Sequence, residues 1–224
     1  LAEKIYKLEV FSPYIVKARK AGQFVMVRAE KKKGERIPLT IADWNNERQT
    51  ISLVFQVVGK TTQILSELKV GDAVPDIAGP LGSPTHVEKV GTVVVVGGGV
   101  GIAPLYPIAY EFSKAGNELI TILGARSKDH LIYEAELRKV SKELIIMTDD
   151  GSYGEKGFVT YPLKKMCETR KIDMVIAIGP AIMMKNCALV TKKYNIKTLV
   201  SLNTIMVDGT GMCGGCRVEV GGVV

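Results

Sequence analysis

Apolar residues in the first third of the chain come in short runs broken by glycine and proline. Phe24-Val25-Met26-Val27-Arg28, Ile51 through Val58 and Asp72-Ala73-Val74 read as strands, and Thr61 to Leu68 has helical spacing. Short strands this close together predict a small antiparallel β barrel. After Gly91 the rhythm changes. Thr92-Val93-Val94-Val95-Val96 is a continuous apolar run, followed by glycines and a helical segment from Ala103 to Ala115. Strands are then expected at Leu119–Leu123, Glu143–Thr148, Asp173–Ile178 and Lys197–Leu202, with helices at Ile132–Val140, Tyr161–Arg170 and Ala181–Tyr194. Strands alternating with helices indicate a parallel sheet covered on both faces. The expected division is 1–88, 89–202 and a Gly- and Cys-rich tail, 203–224. No internal repeat or low-complexity tract is visible.

Composition narrows the class. The 224 residues are 46% hydrophobic and 24% charged, ordinary for a globular protein. Lys plus Arg is 30 against 23 for Asp plus Glu, a net charge of +7 that suits an anionic ligand or acidic partner. The positive charges are spread thinly, with Lys31-Lys32-Lys33 as the single run, which argues against nucleic acid. Four cysteines in a chain this long argue against a secreted disulfide framework. The longest apolar stretch, Val93 to Ala109, is interrupted by glycines and prolines and fails as a membrane span. A cytoplasmic, soluble protein is expected. Leu1 in place of Met suggests a natural N-terminus further upstream.

Candidate chemistry concentrates where strands end. Gly97-Gly98-Gly99-Val100-Gly101 falls between a buried strand and a helix, where glycines admit a pyrophosphate to the helix N-terminus. A tight strand-to-helix turn is the plain alternative, since Ile102 and Pro104 stand where a third glycine would complete the dinucleotide fingerprint. Gly124-Ala125-Arg126-Ser127, Thr148-Asp149-Asp150-Gly151-Ser152-Tyr153-Gly154 and Gly179-Pro180 belong to the same sheet edge. Gly59-Lys60-Thr61-Thr62 lacks the upstream glycine of a P-loop, because Val54 stands there. It remains either a phosphate-holding turn or a helix cap. Arg36-Ile37-Pro38-Leu39-Thr40, if extended, puts Arg36 and Thr40 on one face. Asp208-x4-Cys213-x2-Cys216 has the spacing of a plant-type [2Fe–2S] loop with Asp in the first place. Structural zinc and a plain turn stay open, with His86 and His130 remote in sequence. The fourth ligand is missing, so either the protein continues past Val224 or the site is incomplete, and Arg217-Val218-Glu219-Val220 looks like the first half of a hairpin. Cys167, Cys187 and Met183-Met184 read as helix-borne core residues.

Taken together, these residues resemble the ferredoxin–NADP reductase superfamily, and within it the electron-transfer subunits that carry FAD and a C-terminal [2Fe–2S] cluster. Two branches are similar: the small subunit of NADH-dependent ferredoxin–NADP oxidoreductase, also called the sulfide dehydrogenase beta subunit, and the dihydroorotate dehydrogenase electron-transfer subunit. The family's flavin motif falls on Arg36, Pro38 and Thr40, with Leu39-Thr40 beside the isoalloxazine. Its second phosphate turn falls on Gly59, Lys60, Thr61 and Thr62. Its nicotinamide-nucleotide loop falls on Gly97 to Pro104, including Gly98, Gly99, Val100, Gly101, Ala103 and Pro104. Gly179-Pro180 matches the segment that usually reads Cys-Gly-Pro, with Ile178 in the Cys place. Arg126, Asp149 and Asp150 are further cofactor candidates, and Asp208, Cys213 and Cys216 the implied metal ligands. Asp208 resembles the oxidoreductase branch. The implied activity is FAD-dependent NAD(P)H oxidation, with electrons passing through the cluster to or from a larger partner subunit, either a glutamate-synthase-like flavoprotein or a dihydroorotate dehydrogenase catalytic subunit. No side chain is required as acid or base. The rivals are a colourless nucleotide-binding regulatory module and a yellow FAD reductase without a cluster.

Overall fold

A computed structural model describes residues 1–30 and 34–223, so the Lys31-Lys32-Lys33 run lies outside the described residues. The chain forms two compact units, one of residues 4–85 with 203–224 and one of residues 1–3 with 86–202. The tail expected to stand apart is thus grouped with the first unit.

In the first unit, strands β1 (Ile5–Phe11), β2 (Phe24–Arg28), β3 (Arg36–Asn45), β4 (Thr50–Gln56) and β5 (Asp76–Leu81) form a five-stranded antiparallel sheet in the order β1-β4-β3-β2-β5. Helices α1 (Pro13–Ala18) and α2 (Lys60–Glu67) complete it. Alternation separates the two faces of β2. Val25 and Val27 join Leu39, Ile41, Ile51, Leu53, Phe55 and Leu65 in the core. Phe24, Met26 and Arg28 therefore belong to the other face, directly opposite Thr40, Pro38 and Arg36. The strand expected at Asp72–Val74 does not form. That segment is a turn and coil closed by Asp72, whose carboxylate accepts from Lys69 N at 2.8 Å, and β5 begins at Asp76.

The second unit contains β6 (Thr92–Gly98), α3 (Ile102–Lys114), β7 (Glu118–Ala125), α4 (Glu134–Val140), β8 (Glu143–Thr148), β9 (Glu155–Lys156), α5 (Thr160–Thr169), β10 (Met174–Ile178), α6 (Ala181–Lys192) and β11 (Lys197–Val200). The six strands are parallel in the order β11-β10-β6-β7-β8-β9. Burial on both faces explains the unbroken valine run. Val94 and Val96 face α5 and α6 through Leu163, Met166, Cys167, Met184 and Cys187, while α3 and α4 pack together and against the sheet. The chain builds outward from β6 through β7 and β8, then returns to place β10 on the opposite side of β6. The point where strand order reverses lies between β6 and β10, and in such sheets that is where ligands bind, at the carboxyl ends of the strands.

No described helix is long and apolar enough to cross a membrane. All four cysteines are free.

Candidate functional site

The residues singled out at the carboxyl edge meet at this reversal. Gly97 and Gly98 end β6, Gly99–Gly101 make a 3₁₀ turn, and α3 begins with Ile102, Ala103 and Pro104. Across from them, Ile178 ends β10 and Gly179-Pro180 leads into α6. The glycines answer mainly to protein. A Cβ on Gly101 would lie 2.7 Å from both Gly179 Cα and Ile178 O, and one on Gly98 would lie 2.5 Å from Met183 Sδ. A Cβ on Gly97 would meet Leu105. Gly99 alone faces open space, with φ +55°, the left-handed region that favours glycine. Close approach to the Gly179-Pro180 turn and the start of α6 thus sets Gly98 and Gly101, and packing on α3 sets Gly97. The 3₁₀ turn runs directly into α3, with Ile102 N–H donating back to Gly99 O, and the helix dipole puts positive potential at this end of the helix.

Two further loops extend this edge. Arg126 and Ser127 follow β7, and Asp149-Asp150 follow β8. With adjacent strands about 4.8 Å apart, β8 stands roughly 10 Å from β6. Asp149 N and Asp150 N donate to Ala125 O (3.1 Å) and Arg126 O (3.2 Å), which ties the two loops together. Asp150 Oδ1 accepts from Ser152 Oγ at 2.7 Å and Ser152 N at 2.9 Å, and the Ser152 hydroxyl in particular holds its carboxyl below the usual range. Lys128 N donates to Ser152 Oγ (2.8 Å), and its ammonium sits 5.4 Å from the Tyr153 ring. Tyr153 Oη donates to Glu134 Oε1 (3.1 Å), which also pairs with Arg138 Nη2 (2.7 Å). This Lys128–Tyr153–Glu134–Arg138 chain is mostly invisible in sequence because its members come from separate loops. Met183 lies against Gly98 and Gly179 and is partly buried, whereas Met184 is core.

In the first unit, Arg36, Pro38 and Thr40 do share one face of β3. Leu39 points into the core and is 9% exposed. The Arg36 guanidinium binds Asp76 Oδ2 through Nε (3.1 Å) and Nη2 (2.7 Å), and Arg28 Nη2 reaches the same oxygen at 3.2 Å. The hydrogen bond from Arg36, reinforced by both positive charges, holds the Asp76 carboxyl below its usual range. Gly59 caps α2, and Thr62 Oγ1 accepts from Val58 N and Gly59 N, both at 3.1 Å, while donating to Gly59 O at 2.9 Å. That hydroxyl is committed to the cap. Thr61 is buried, and Lys60 pairs with Glu30 at 3.1 Å. A Cβ on Gly59 would meet nothing within 4 Å, so the first turn of α2 opens outward.

The tail lies on the face of the sheet that carries Arg36, Pro38 and Thr40. A Cβ on Gly209 would sit 2.6 Å from Met26 Cγ, and Met26 is the direct partner of Pro38. Asp208 accepts from Thr210 N and Cys213 N, both at 2.9 Å, and the Thr210 contact foremost holds its carboxyl below the usual range. Cys213 Sγ accepts from Gly215 N at 3.4 Å. Two thiols spaced C-x2-C, with a backbone N–H aimed at one sulfur, are donors of the kind an iron–sulfur cluster uses. Among the described residues, no three His, Cys, Asp or Glu side chains converge as a metal cluster would require. The expected hairpin at Arg217–Val220 reduces to one bridge between Val220 and Val223.

Residues 95–188 match the oxidoreductase NAD-binding domain family. Over its whole length the chain is 50% identical to the "dihydroorotate dehydrogenase B (NAD(+)), electron transfer subunit homolog" of Thermotoga maritima, covering 79% of that protein. It is 34% identical to the dihydroorotate dehydrogenase B electron transfer subunit of Fusobacterium nucleatum over 96% of this chain and 84% of that one. A chain in the structure of NADH-dependent reduced ferredoxin–NADP oxidoreductase, described for flavin-based electron bifurcation, superimposes with a TM-score of 0.92 at 50% identity, covering 99% of this chain and 80% of that one. With its antiparallel sheet, parallel sheet and carboxyl-edge loops, this chain belongs to the ferredoxin–NADP reductase-like family of oxidoreductase electron-transfer subunits.

Proposed function

We propose that the chain is the flavoprotein subunit of an NAD(P)H oxidoreductase of the ferredoxin–NADP oxidoreductase type, working with a larger redox subunit. The observation that carries this reading is the reversal point of the parallel sheet, where Gly98–Gly101 and Gly179-Pro180 meet within a region that matches the NAD-binding family. On this reading residues 89–202 bind the nicotinamide nucleotide, residues 1–88 bind FAD, and residues 203–224 contribute to a [2Fe–2S] centre. Held by these residues, a flavin would supply the step between two-electron chemistry with a nicotinamide nucleotide and one-electron transfer through an iron–sulfur centre.

The protein's own work is positional. Gly99 and the first turn of α3 receive the nucleotide's pyrophosphate, while Arg126, Asp149 and Asp150 flank its ribose. Arg36 and the Gly59–Thr62 turn hold the flavin's phosphates, with Pro38 and Thr40 beside its ring and Leu39 backing them from the core. Asp208, Cys213 and Cys216 are the tail's metal ligands. The contact of Gly209 with Met26, opposite Pro38, supports a short route between tail and flavin strand. Four unpaired thiols support a cytoplasmic setting.

The test is NADH- and NADPH-driven reduction of ferricyanide by the purified chain. Turnover with a flavin chromophore is expected, and nucleotide binding without turnover would leave a regulatory module instead. The names of relatives at 34–50% identity favour a second reading, the electron-transfer subunit of an NAD-linked dihydroorotate dehydrogenase. It predicts NADH-linked orotate reduction once a dihydroorotate dehydrogenase catalytic subunit is added.

A further inference from the structure

Three neighbouring strands bring one carboxylate and two guanidiniums together. Arg36 on β3 stands directly opposite Arg28 on β2, and Arg28 stands directly opposite Asp76 on β5. Like charges directly across a ladder repel. Asp76 relieves that repulsion through a single oxygen, Oδ2, which takes Arg36 Nε, Arg36 Nη2 and Arg28 Nη2 at 3.1, 2.7 and 3.2 Å. One negative charge against two positive ones leaves the row with a surplus of +1.

The donors are also in surplus. A guanidinium carries five N–H groups. Asp76 occupies two on Arg36, whose side chain is 51% exposed, and one on Arg28. Arg28 Nε is shut off from solvent and has no hydrogen-bond partner among the described residues. A buried donor without a partner costs free energy, and a buried charged donor more so. A bound anion would offset the spare charge and take the N–H groups that Asp76 leaves open on the two partly exposed guanidiniums.

We propose that Arg28 is a second phosphate-binding residue of the flavin site, with Asp76 holding Arg28 and Arg36 side by side as a two-guanidinium seat for a diphosphate ester. This rests on the reading of Arg36, Pro38 and Thr40 as the flavin face. Arg28 lies on that face because β2 alternates in step with β3, and no contiguous motif contains it. Paired guanidiniums suit a diphosphate because each presents parallel N–H groups to two oxygens. Asp76 is a positioning residue, since it touches the ligand only through the arginines.

The test compares FAD with riboflavin, which has the same ring and no phosphate, by fluorescence titration of flavin-stripped protein. Arg28→Gln is expected to raise the Kd for FAD about tenfold, the loss of one charge-assisted hydrogen-bonding group, and to leave the Kd for riboflavin within about twofold. Arg28→Lys keeps the charge and the Asp76 ion pair but loses the fork, so a smaller loss of about threefold, again confined to FAD, is expected. An unchanged Kd for FAD in both variants overturns the proposal. An equal loss for FAD and riboflavin also overturns it, because it marks Arg28 as merely structural. Wild-type protein that binds neither flavin overturns the flavin reading itself, whereas wild-type binding with unchanged variants overturns only the role of Arg28. If Arg28→Gln does not fold, Arg28→Lys carries the same test.

Discussion

Replacing Gly101 with alanine places a methyl carbon 2.7 Å from Gly179 Cα, 2.7 Å from Ile178 O and 2.8 Å from Gly179 N. Relaxed carbon contacts lie at about 3.5–4.0 Å, so the two turns must separate by roughly 0.8 Å. All three obstacles are backbone, and no rotamer absorbs the clash. The cost falls at the upper end of the overpacking range, about 2–3 kcal/mol. Gly98→Ala instead meets Met183 Sδ at 2.5 Å, the end of a flexible side chain, and is expected to cost about 1 kcal/mol. Gly99→Ala meets nothing but must adopt φ +55°, again about 1 kcal/mol. At roughly 3 °C per kcal/mol for a chain of this size, thermal unfolding should fall by about 6–9 °C for Gly101→Ala and about 3 °C for the other two. The KM for NADH should rise most in Gly101→Ala, since the shifted turns form the proposed nucleotide edge. Met183→Ala should rescue Gly98→Ala and not Gly101→Ala. Gly101→Ala with wild-type unfolding, or rescue of it by Met183→Ala, refutes the reasoning.

Asn117→Leu should cost about 3 kcal/mol in urea unfolding, because Asn117 Oδ1 accepts from Val90 N and Gly91 N and its Nδ2 donates to Glu88 O and Phe112 O, so three backbone groups lose this partner while Phe112 O keeps Asn117 N at 3.3 Å. Asp173 Oδ2 accepts from Thr92 N at 2.9 Å, and that contact foremost holds its carboxyl below the usual range. Its stabilisation is full above the unfolded value of 3.8 and is lost as pH falls through the lower folded value. The unfolding midpoint of Asp173→Asn should therefore depend less on pH below 4 than that of wild type, and identical slopes would contradict the assignment. Burial pushes the Cys187 thiol up to about 12 and Cys167 in the same direction. In iron-free native protein, a thiol reagent at pH 8 should therefore label Cys213 and Cys216 and reach Cys167 and Cys187 only after denaturation. Mass spectrometry reads the outcome.

Much of the second unit is legible in the sequence because burial on both faces of a parallel sheet makes each strand a plain apolar run. Glu143–Thr148 is a strand over the expected residues, and the helices begin and end within about two residues of their expected bounds. The first unit is harder to read. β1 is exposed at alternate positions and carries a weak signal, and β5 contains Gly79-Pro80, which reads as a turn. The two-residue β9 has no signal at all. In the candidate site, runs of adjacent residues announce themselves and cross-strand partners do not. Gly98–Gly101 and Gly179-Pro180 are visible as two separate turns, but not as turns that press backbone against backbone. Arg36 is visible through its motif. Arg28 and Asp76 become visible only with the register of three strands.

The proposed function requires a flavin and an iron–sulfur centre in one chain. The most direct measurement is the visible absorption spectrum of protein purified without oxygen, with iron and sulfide assayed on the same sample. Flavin bands over a broad cluster absorption, with about two irons per flavin, are expected. A flavin spectrum without iron contradicts Asp208, Cys213 and Cys216 as ligands, and a colourless protein contradicts the electron-transfer reading altogether.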